Sequence, residues 1–370
     1  MRSPKVIISG GGTGGHVFPA IAIADAVRKA RPDAEFLFVG ALGKMEMERV
    51  PAAGYEIEGL NISGFQRSLS AKNLLFPFKL FGSLLRAAAI LRRFDADVAV
   101  GVGGYASGPL LRVAVTRNIP TLIQEQNSFP GVTNRLLGGK VSKVCVAYSG
   151  MERWFPEQKI VFTGNPVRKA VTELEGKRAE ALKHFDLVDD KPVLLVIGGS
   201  LGARTINQSI EAALPQIAEA GFQVIWQTGK NYAEAAEAAL SGNQFPAVKQ
   251  RAFIDRMDLA YAAADAVVSR AGAISVSELC LAGKPCIFVP SPNVAEDHQT
   301  KNARALTERG AALLVKDAEA HEKLFGEIDR LMGDPALRAE LSANILKMGK
   351  ARAAEDIAAE VLKLAQERKR

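Results

Sequence analysis

Two glycine-rich turns constrain this chain more than any other feature, because each follows directly on a run of aliphatic residues. Val6-Ile7-Ile8-Ser9 leads into Gly10-Gly11-Gly12-Thr13-Gly14-Gly15, and Leu194-Leu195-Val196-Ile197 leads into Gly198-Gly199-Ser200-Leu201-Gly202. A strand that ends in residues without Cβ atoms and then enters a helix leaves backbone N–H groups and a helix N-terminus open to an anion or a sugar. Further apolar runs keep the same rhythm: Glu35 to Val39, Val98 to Val102, Thr121 to Gln124 and Lys143 to Ala147, then Gln223 to Thr228, Ala266 to Ser269, Cys286 to Val289 and Ala312 to Val315. Strands of this type alternating with helix-length segments predict parallel sheets covered on both faces. Two similar nucleotide-fold domains in tandem are expected, which suits a chain of 370 residues. Gly and Pro interrupt the pattern at Thr163-Gly164-Asn165-Pro166, so the boundary is placed there, with domains at 1–163 and 164–350. The last segment, 351–370, reads as a charged amphipathic helix that periodicity alone assigns to neither domain.

Composition narrows the function classes. A chain with 48% hydrophobic and 24% charged residues is expected to be soluble and folded throughout. Cys145, Cys280 and Cys286 are odd in number and far apart in apolar surroundings, as buried thiols in a reducing compartment would be, and no zinc spacing is present. The N-terminus reads as a first strand and not a signal peptide, which places the chain in the cytoplasm. The net charge of +7 is unevenly spread: Arg67, Lys72, Lys79, Arg86, Arg92 and Arg93 lie between Glu58 and Asp95 with no acid among them. That stretch is also the greasiest in the chain, which points to an anionic membrane surface. Nucleic acid is disfavoured, because the basic residues are interleaved with aliphatics and no stacking platform appears.

Gly10, Gly12 and Gly15 match the dinucleotide pattern G-x-G-x-x-G. The acid that would hold a ribose after the second strand is absent, since Val39 leads into Gly40-Ala41-Leu42-Gly43, and this argues against a dehydrogenase. His16 follows the turn at the helix start, as a general base or as a histidine that only hydrogen-bonds the loop. A second glycine turn, Gly101 to Pro109, carries Tyr105, and Gln124-Glu125-Gln126-Asn127 ends a strand on the same edge, where polar side chains suit a hydroxyl-rich ligand. In the second half, Ser200 and Arg204 sit in a phosphate-type turn to which Arg168 can add a guanidinium. Ser269 to Glu278 forms a strand, a turn and a helix start with one carboxylate, either a helix surface charge or a ligand for both ribose hydroxyls. Glu296-Asp297-His298-Gln299 is a further polar cluster, and no paired-carboxylate metal motif is present.

Taken in order from the first strand to past Gln299, these motifs resemble the MurG family of bacterial peptidoglycan glycosyltransferases. One departure is Gln124, where a histidine is expected in many members; only a peripheral contact is affected. The resemblance implies a GT-B fold: two Rossmann-like domains with parallel sheets facing a central cleft, the first binding acceptor and the second UDP-N-acetylglucosamine, and the 351–370 helix returning to the N-terminal domain. It implies an inverting transfer of N-acetylglucosamine to the C4 hydroxyl of the muramyl sugar of lipid I, giving lipid II, with no metal or other cofactor required. His16 and Glu125 would be catalytic. Thr13, Gly14, Gly15, Asn127, Arg168, Ser200, Ile254, Gln299 and the run Ala273, Ile274, Ser275, Val276, Ser277, Glu278 would bind donor, and Tyr105 and Asn134 acceptor. The chain would act at the cytoplasmic face of the bacterial inner membrane, docked through residues 72–93, with other cell-wall synthesis proteins as possible partners. Within 74–91, Leu74, Phe78, Phe81 and Leu85 share one helical face while Leu80, Leu84, Ala87 and Leu91 share another, so one face is expected to pack inward and one to meet lipid. The rival functions are a UDP-N-acetylglucosamine 2-epimerase and a non-catalytic nucleotide-sugar sensor.

Overall fold

Seven parallel strands make the sheet of the first unit: β1 (Lys5–Gly10), β2 (Glu35–Ala41), β3 (Ile57–Leu60), β4 (Val98–Gly103), β5 (Thr121–Glu125), β6 (Lys143–Val146) and β7 (Ile160–Phe162), in the order β3-β2-β1-β4-β5-β6-β7. The computed structural model describes residues 2–62, 76–167, 169–199, 201–243 and 245–368. Side chains alternate across the sheet between two cores. Val6, Ile8, Val98, Val100, Val102, Leu122 and Cys145 enter one, and Ile7, Ala99, Ile123, Val144 and Val146 enter the other. Helices Gly14–Ala30 and Ala353–Glu367 close the first core, where Ile357, Val361 and Leu364 are buried. Each of these three contributes about 1.5–3 kcal/mol of burial. The first unit therefore comprises Met1–Val167 together with Arg352–Arg370.

The second unit, Arg168–Ala351, holds β8 (Val193–Ile197), β9 (Gln223–Gln227), β10 (Val248–Arg251), β11 (Ala266–Ser269), β12 (Cys286–Phe288) and β13 (Leu313–Leu314). They pair in parallel in the order β10-β9-β8-β11-β12-β13. Both sheets reverse direction of growth beside the strand that ends in a glycine turn, between β1 and β4 and between β8 and β11. Such switch points leave a crevice at the carboxyl ends of the strands, where open α/β sheets bind ligands.

Three strands are not among the runs expected from sequence, and all three are sheet edges: β3, β7 and β10. An edge strand need not be apolar on both faces, so Ile57-Glu58-Gly59-Leu60 and Val248-Lys249-Gln250-Arg251 carry no continuous hydrophobic run. All three cysteines are free and buried. Burial pushes the Cys145 and Cys280 thiols up to about 12 and that of Cys286 well above its ordinary value.

The greasy basic segment forms the helix Phe76–Phe94. Ala87 and Leu91 are buried and Leu80 and Leu84 pack on the core, while Phe78, Phe81 and Leu85 are exposed at 76%, 63% and 58%. Its charge is less free than the sequence suggests, because Arg86 and Arg93 both pair with Glu58. Arg67, Lys72 and Leu74 lie outside the described residues. Among those described, no helix is long and apolar enough to cross a membrane.

Candidate functional site

In the first unit the turns after β1 and β4 interlock. Gly11 N–H donates to the Gly103 carbonyl at 3.2 Å, and a Cβ on Gly104, whose φ is +92°, would meet the Gly11 carbonyl oxygen. Only glycine permits this approach. Beside the contact lies His16, whose ring would be 2.8 Å from a Cβ on Gly103. Its Nδ1 is 3.0 Å from the Gly11 carbonyl oxygen. A carbonyl can only accept, so in the neutral ring Nδ1 carries the proton and Nε2 the lone pair. Thr13 caps the helix in an extended conformation, and its carbonyl accepts from His16 N and Val17 N at 3.1 Å each. Gly14 and Gly15 form the first turn, where an α-helix leaves its N–H groups without partners of its own. Tyr105 is half-exposed beside Gly12, its Cε2 3.9 Å from a Cβ position there. His16, Thr13, Gly14, Gly15 and Tyr105 thus share one end of the β1–β4 crevice.

Glu46 was not anticipated from sequence. It is buried at the start of the short helix Glu46–Ala52, and its carboxylate accepts from Gly12 N at 2.8 Å and Ala41 N at 3.0 Å. Nothing in Lys44-Met45-Glu46-Met47 marks it out, because its partners are backbone groups on other turns.

The polar run Gln124 to Asn127, hard to explain by packing from sequence, has partners inside the protein. Gln124, Glu125 and Gln126 are buried, and their side chains are taken up within the protein: Gln124 Nε2 donates to Asn165 Oδ1 at 2.9 Å, Gln126 Nε2 to the Val102 carbonyl at 2.8 Å, and Asn165 Nδ2 to the Gln126 carbonyl at 3.0 Å. Glu125 accepts from Asn127 N at 3.0 Å, Asn127 Nδ2 at 3.4 Å, Gly131 N at 3.1 Å and Asn134 Nδ2 at 2.7 Å. Burial pushes its carboxyl above the usual range, and these four donors pull the other way. Glu125 therefore clasps the 126–134 loop from within. Asn134 is held by this clasp, and among the described residues its buried Oδ1 has no hydrogen-bond partner. Phe129, 4.8 Å from the Trp154 ring, and Arg135, stacked over both rings, pin the loop from outside.

In the second unit the turn after β8 interlocks with the turn after β9. Asn207 ties them, donating to the Thr228 carbonyl at 2.7 Å while accepting from Trp226 Nε1 at 3.1 Å, and Gln227 Nε2 donates to the Gly199 carbonyl at 3.0 Å. Arg168 and Ser200 lie outside the described residues. After β11, Gly272 caps the helix Ala273–Ala282, with Ala273, Ile274 and Ser275 half-buried in its first turn. Val276 is core, and the Ser277 hydroxyl donates back to the Ala273 carbonyl at 3.0 Å. Glu278 is buried, which removes the surface-charge reading, and accepts from the Tyr261 hydroxyl at 3.1 Å. Arg270 bonds the Val289 carbonyl at 2.9 Å and pairs with Asp317, bracing the turn. Gln299 lies in the first turn of the helix His298–Thr307, where its Oε1 accepts from Ser291 N at 2.9 Å, and Asn302 of that helix donates to the Ala271 carbonyl at 3.3 Å. Ile254 is buried in the segment after β10. Among the described residues, no group of three or more His, Cys, Asp or Glu side chains could hold a metal ion.

Two family models match the chain: the glycosyltransferase family 28 N-terminal domain over residues 6–146 and the family 28 C-terminal domain over 193–358. The chain is 54% identical, over 97% of its length and 96% of the relative's, to the UDP-N-acetylglucosamine--N-acetylmuramyl-(pentapeptide) pyrophosphoryl-undecaprenol N-acetylglucosamine transferase of Cytophaga hutchinsonii. It is 52% identical, over 97% of both chains, to the protein of the same name from Christiangramia forsetii. Among solved structures it is similar to Acinetobacter baumannii MurG, with a TM-score of 0.78 at 26% identity, over 98% of this chain and 100% of that one.

Proposed function

The chain belongs to glycosyltransferase family 28, and from that membership we propose that it transfers N-acetylglucosamine from UDP-N-acetylglucosamine to the muramyl sugar of lipid I, producing lipid II for peptidoglycan. The observation that carries this reading is identity at half of all positions, over nearly the whole of both chains, with proteins named for that transfer. In the mechanism proposed, His16 Nε2 takes the proton of the muramyl C4 hydroxyl. The hydroxyl oxygen bonds to the anomeric carbon from the face opposite UDP, the bond from that carbon to the diphosphate oxygen breaks, and its electron pair leaves with UDP. The configuration inverts in one displacement. The Nδ1–H tautomer of His16 supports this role, since it leaves the lone pair on the other ring nitrogen.

Donor binding is assigned to Thr13, Gly14, Gly15 and Asn127 of the first unit and, in the second, to Arg168, Ser200, Ile254, Gln299 and the 273–278 helix start. Glu278 would take the ribose hydroxyls. A helix N-terminus and backbone N–H groups stabilise the diphosphate that accumulates charge. Tyr105 and Asn134 are assigned to the acceptor, Asn134 because its orphaned Oδ1 is an acceptor that a ligand hydroxyl would satisfy. Glu125 acts by holding Asn127 and Asn134 in place. The exposed Phe78, Phe81 and Leu85 would rest on an anionic membrane at the cytoplasmic face, where the acceptor's polyprenyl chain resides. An epimerase gives that face no work, and His16 together with Tyr105 and Glu125 speaks against a membrane-docked sensor that binds donor without turnover.

The test is transfer of labelled N-acetylglucosamine from UDP onto a lipid I analogue. Folded protein that yields no disaccharide product would overturn the reading. His16→Ala should lower kcat by about 100-fold or more, and an unchanged kcat would reject His16 as the base.

A further inference from the structure

The interaction that sets His16 runs through a peptide group, and that group has a second partner. Gly11 C=O and Gly12 N–H belong to one planar trans unit, so they point in opposite directions. On one edge His16 Nδ1 donates to the Gly11 oxygen at 3.0 Å. On the other, Gly12 N–H donates to Glu46 Oε2 at 2.8 Å. The remaining carboxylate oxygen, Oε1, is anchored to Ala41 N at the end of β2, 3.0 Å away. Glu46 is 1% exposed and seated where two glycines leave room: a Cβ on Gly11 would be 2.8 Å from Oε2, and one on Gly40 would be 2.6 Å from Cγ.

We propose that Glu46 is the positioning residue of His16, acting through the Gly11–Gly12 peptide. The chain carboxylate, peptide, imidazole does what a directly bonded carboxylate does for a catalytic histidine elsewhere: it fixes the ring's orientation and tautomer. A carboxylate on the N–H edge polarises the peptide and strengthens its carbonyl as an acceptor for Nδ1–H. Gln is the informative substitution, because an amide offers one acceptor oxygen to two N–H groups and turns its own N–H₂ toward the other.

This inference rests on His16 being the base, and the experiment separates the two. Ring-¹⁵N-histidine spectra of the full-length protein at about pH 8.5, above the ordinary imidazole range, report the tautomer directly. The wild type should show His16 protonated at Nδ1; protonation at Nε2 overturns the proposal without any variant. Glu46→Gln should shift the spectrum toward mixed tautomers and lower kcat by about tenfold or more, with the KM for UDP-N-acetylglucosamine within about twofold. Glu46→Asp, which keeps the charge, should recover part of the rate. In a double-mutant cycle Glu46→Gln should add nothing to His16→Ala, since a residue acting through His16 has no further route. An unmoved tautomer, or a full Glu46→Gln effect in the His16→Ala background, overturns the proposal. An unchanged kcat in His16→Ala alone would instead sink the base assignment and leave the tautomer result standing.

Discussion

Replacing Gly104 by alanine should do more damage than its size suggests, and the structure says how much. Gly104 has φ +92°, in the region L-residues avoid, and an added Cβ would lie 2.9 Å from both the carbonyl carbon and the nitrogen of Gly11. The conformation costs about 1–2 kcal/mol. Overlap with backbone, which cannot rotate aside, costs about 1–3 kcal/mol more. The sum, about 2–5 kcal/mol, corresponds to a loss of about 4–20 °C in the Tm of a domain of this size. Gly43 provides the control, because its φ is +70° but nothing lies within 4 Å of its Cβ position. Gly43→Ala should feel the conformational cost alone, about 1–2 kcal/mol or about 2–8 °C. Thermal unfolding by circular dichroism and initial transfer rates should be measured on both variants in parallel. Gly104→Ala should also lose kcat, because a displaced Gly11 withdraws the acceptor of His16 Nδ1. Equal Tm shifts with equal kcat in the two variants would refute the argument that the turns after β1 and β4 are interlocked.

Three further outcomes are expected. Burial raises the Glu125 carboxyl above its ordinary value in the folded protein, so the native state holds that proton more tightly; its contribution to stability is full below the unfolded value and lost as pH rises through the folded one. Urea midpoints measured from about pH 4 to 8 should therefore show a component that falls with pH in the wild type and is missing in Glu125→Gln, and identical slopes would contradict it. Tyr261→Phe removes the hydroxyl that donates to Glu278, and should raise the KM for UDP-N-acetylglucosamine about tenfold with little change in kcat; an unchanged KM would detach Glu278 from the donor. Converting Phe78 and Phe81 to serine should weaken binding to anionic vesicles by about tenfold or more while leaving Tm nearly unchanged, since both rings are already in solvent. Equal vesicle binding would count against a membrane face there.

What could be read from the sequence was what depends on neighbours along the chain. β1 and β8 announce themselves because a strand buried on both faces must be apolar at every position and each is punctuated by glycines. The split of the Phe76–Phe94 helix into a packed face and an exposed one was legible for the same reason, a local period. Partners far apart in sequence were not legible. Gln124 to Asn127 read only as side chains suited to a hydroxyl-rich ligand, because residue type shows that a group is polar and not what satisfies it; Asn165, 41 positions from Gln124, is the partner of Gln124. Glu58, on an edge strand that was itself missed, takes two of the arginines that seemed free. Glu46 was invisible on both counts, since its partners are backbone N–H groups brought near only when β1 and β2 pair. The identity of the acceptor came from resemblance and not from residue chemistry, because hydroxyl-binding side chains look alike whichever sugar they meet.

The return of the last helix to the first unit has a consequence for the order in which the protein is made. Ile357, Ala358, Val361 and Leu364 fill a core built by β1, β4 and the helix Gly14–Ala30, yet residues 168–351 are synthesised between them. On the ribosome the N-terminal unit must wait, its apolar flank bare, while the C-terminal unit emerges whole and folds. The part of the chain that is translated first is therefore the part completed last, and it is the part that carries His16.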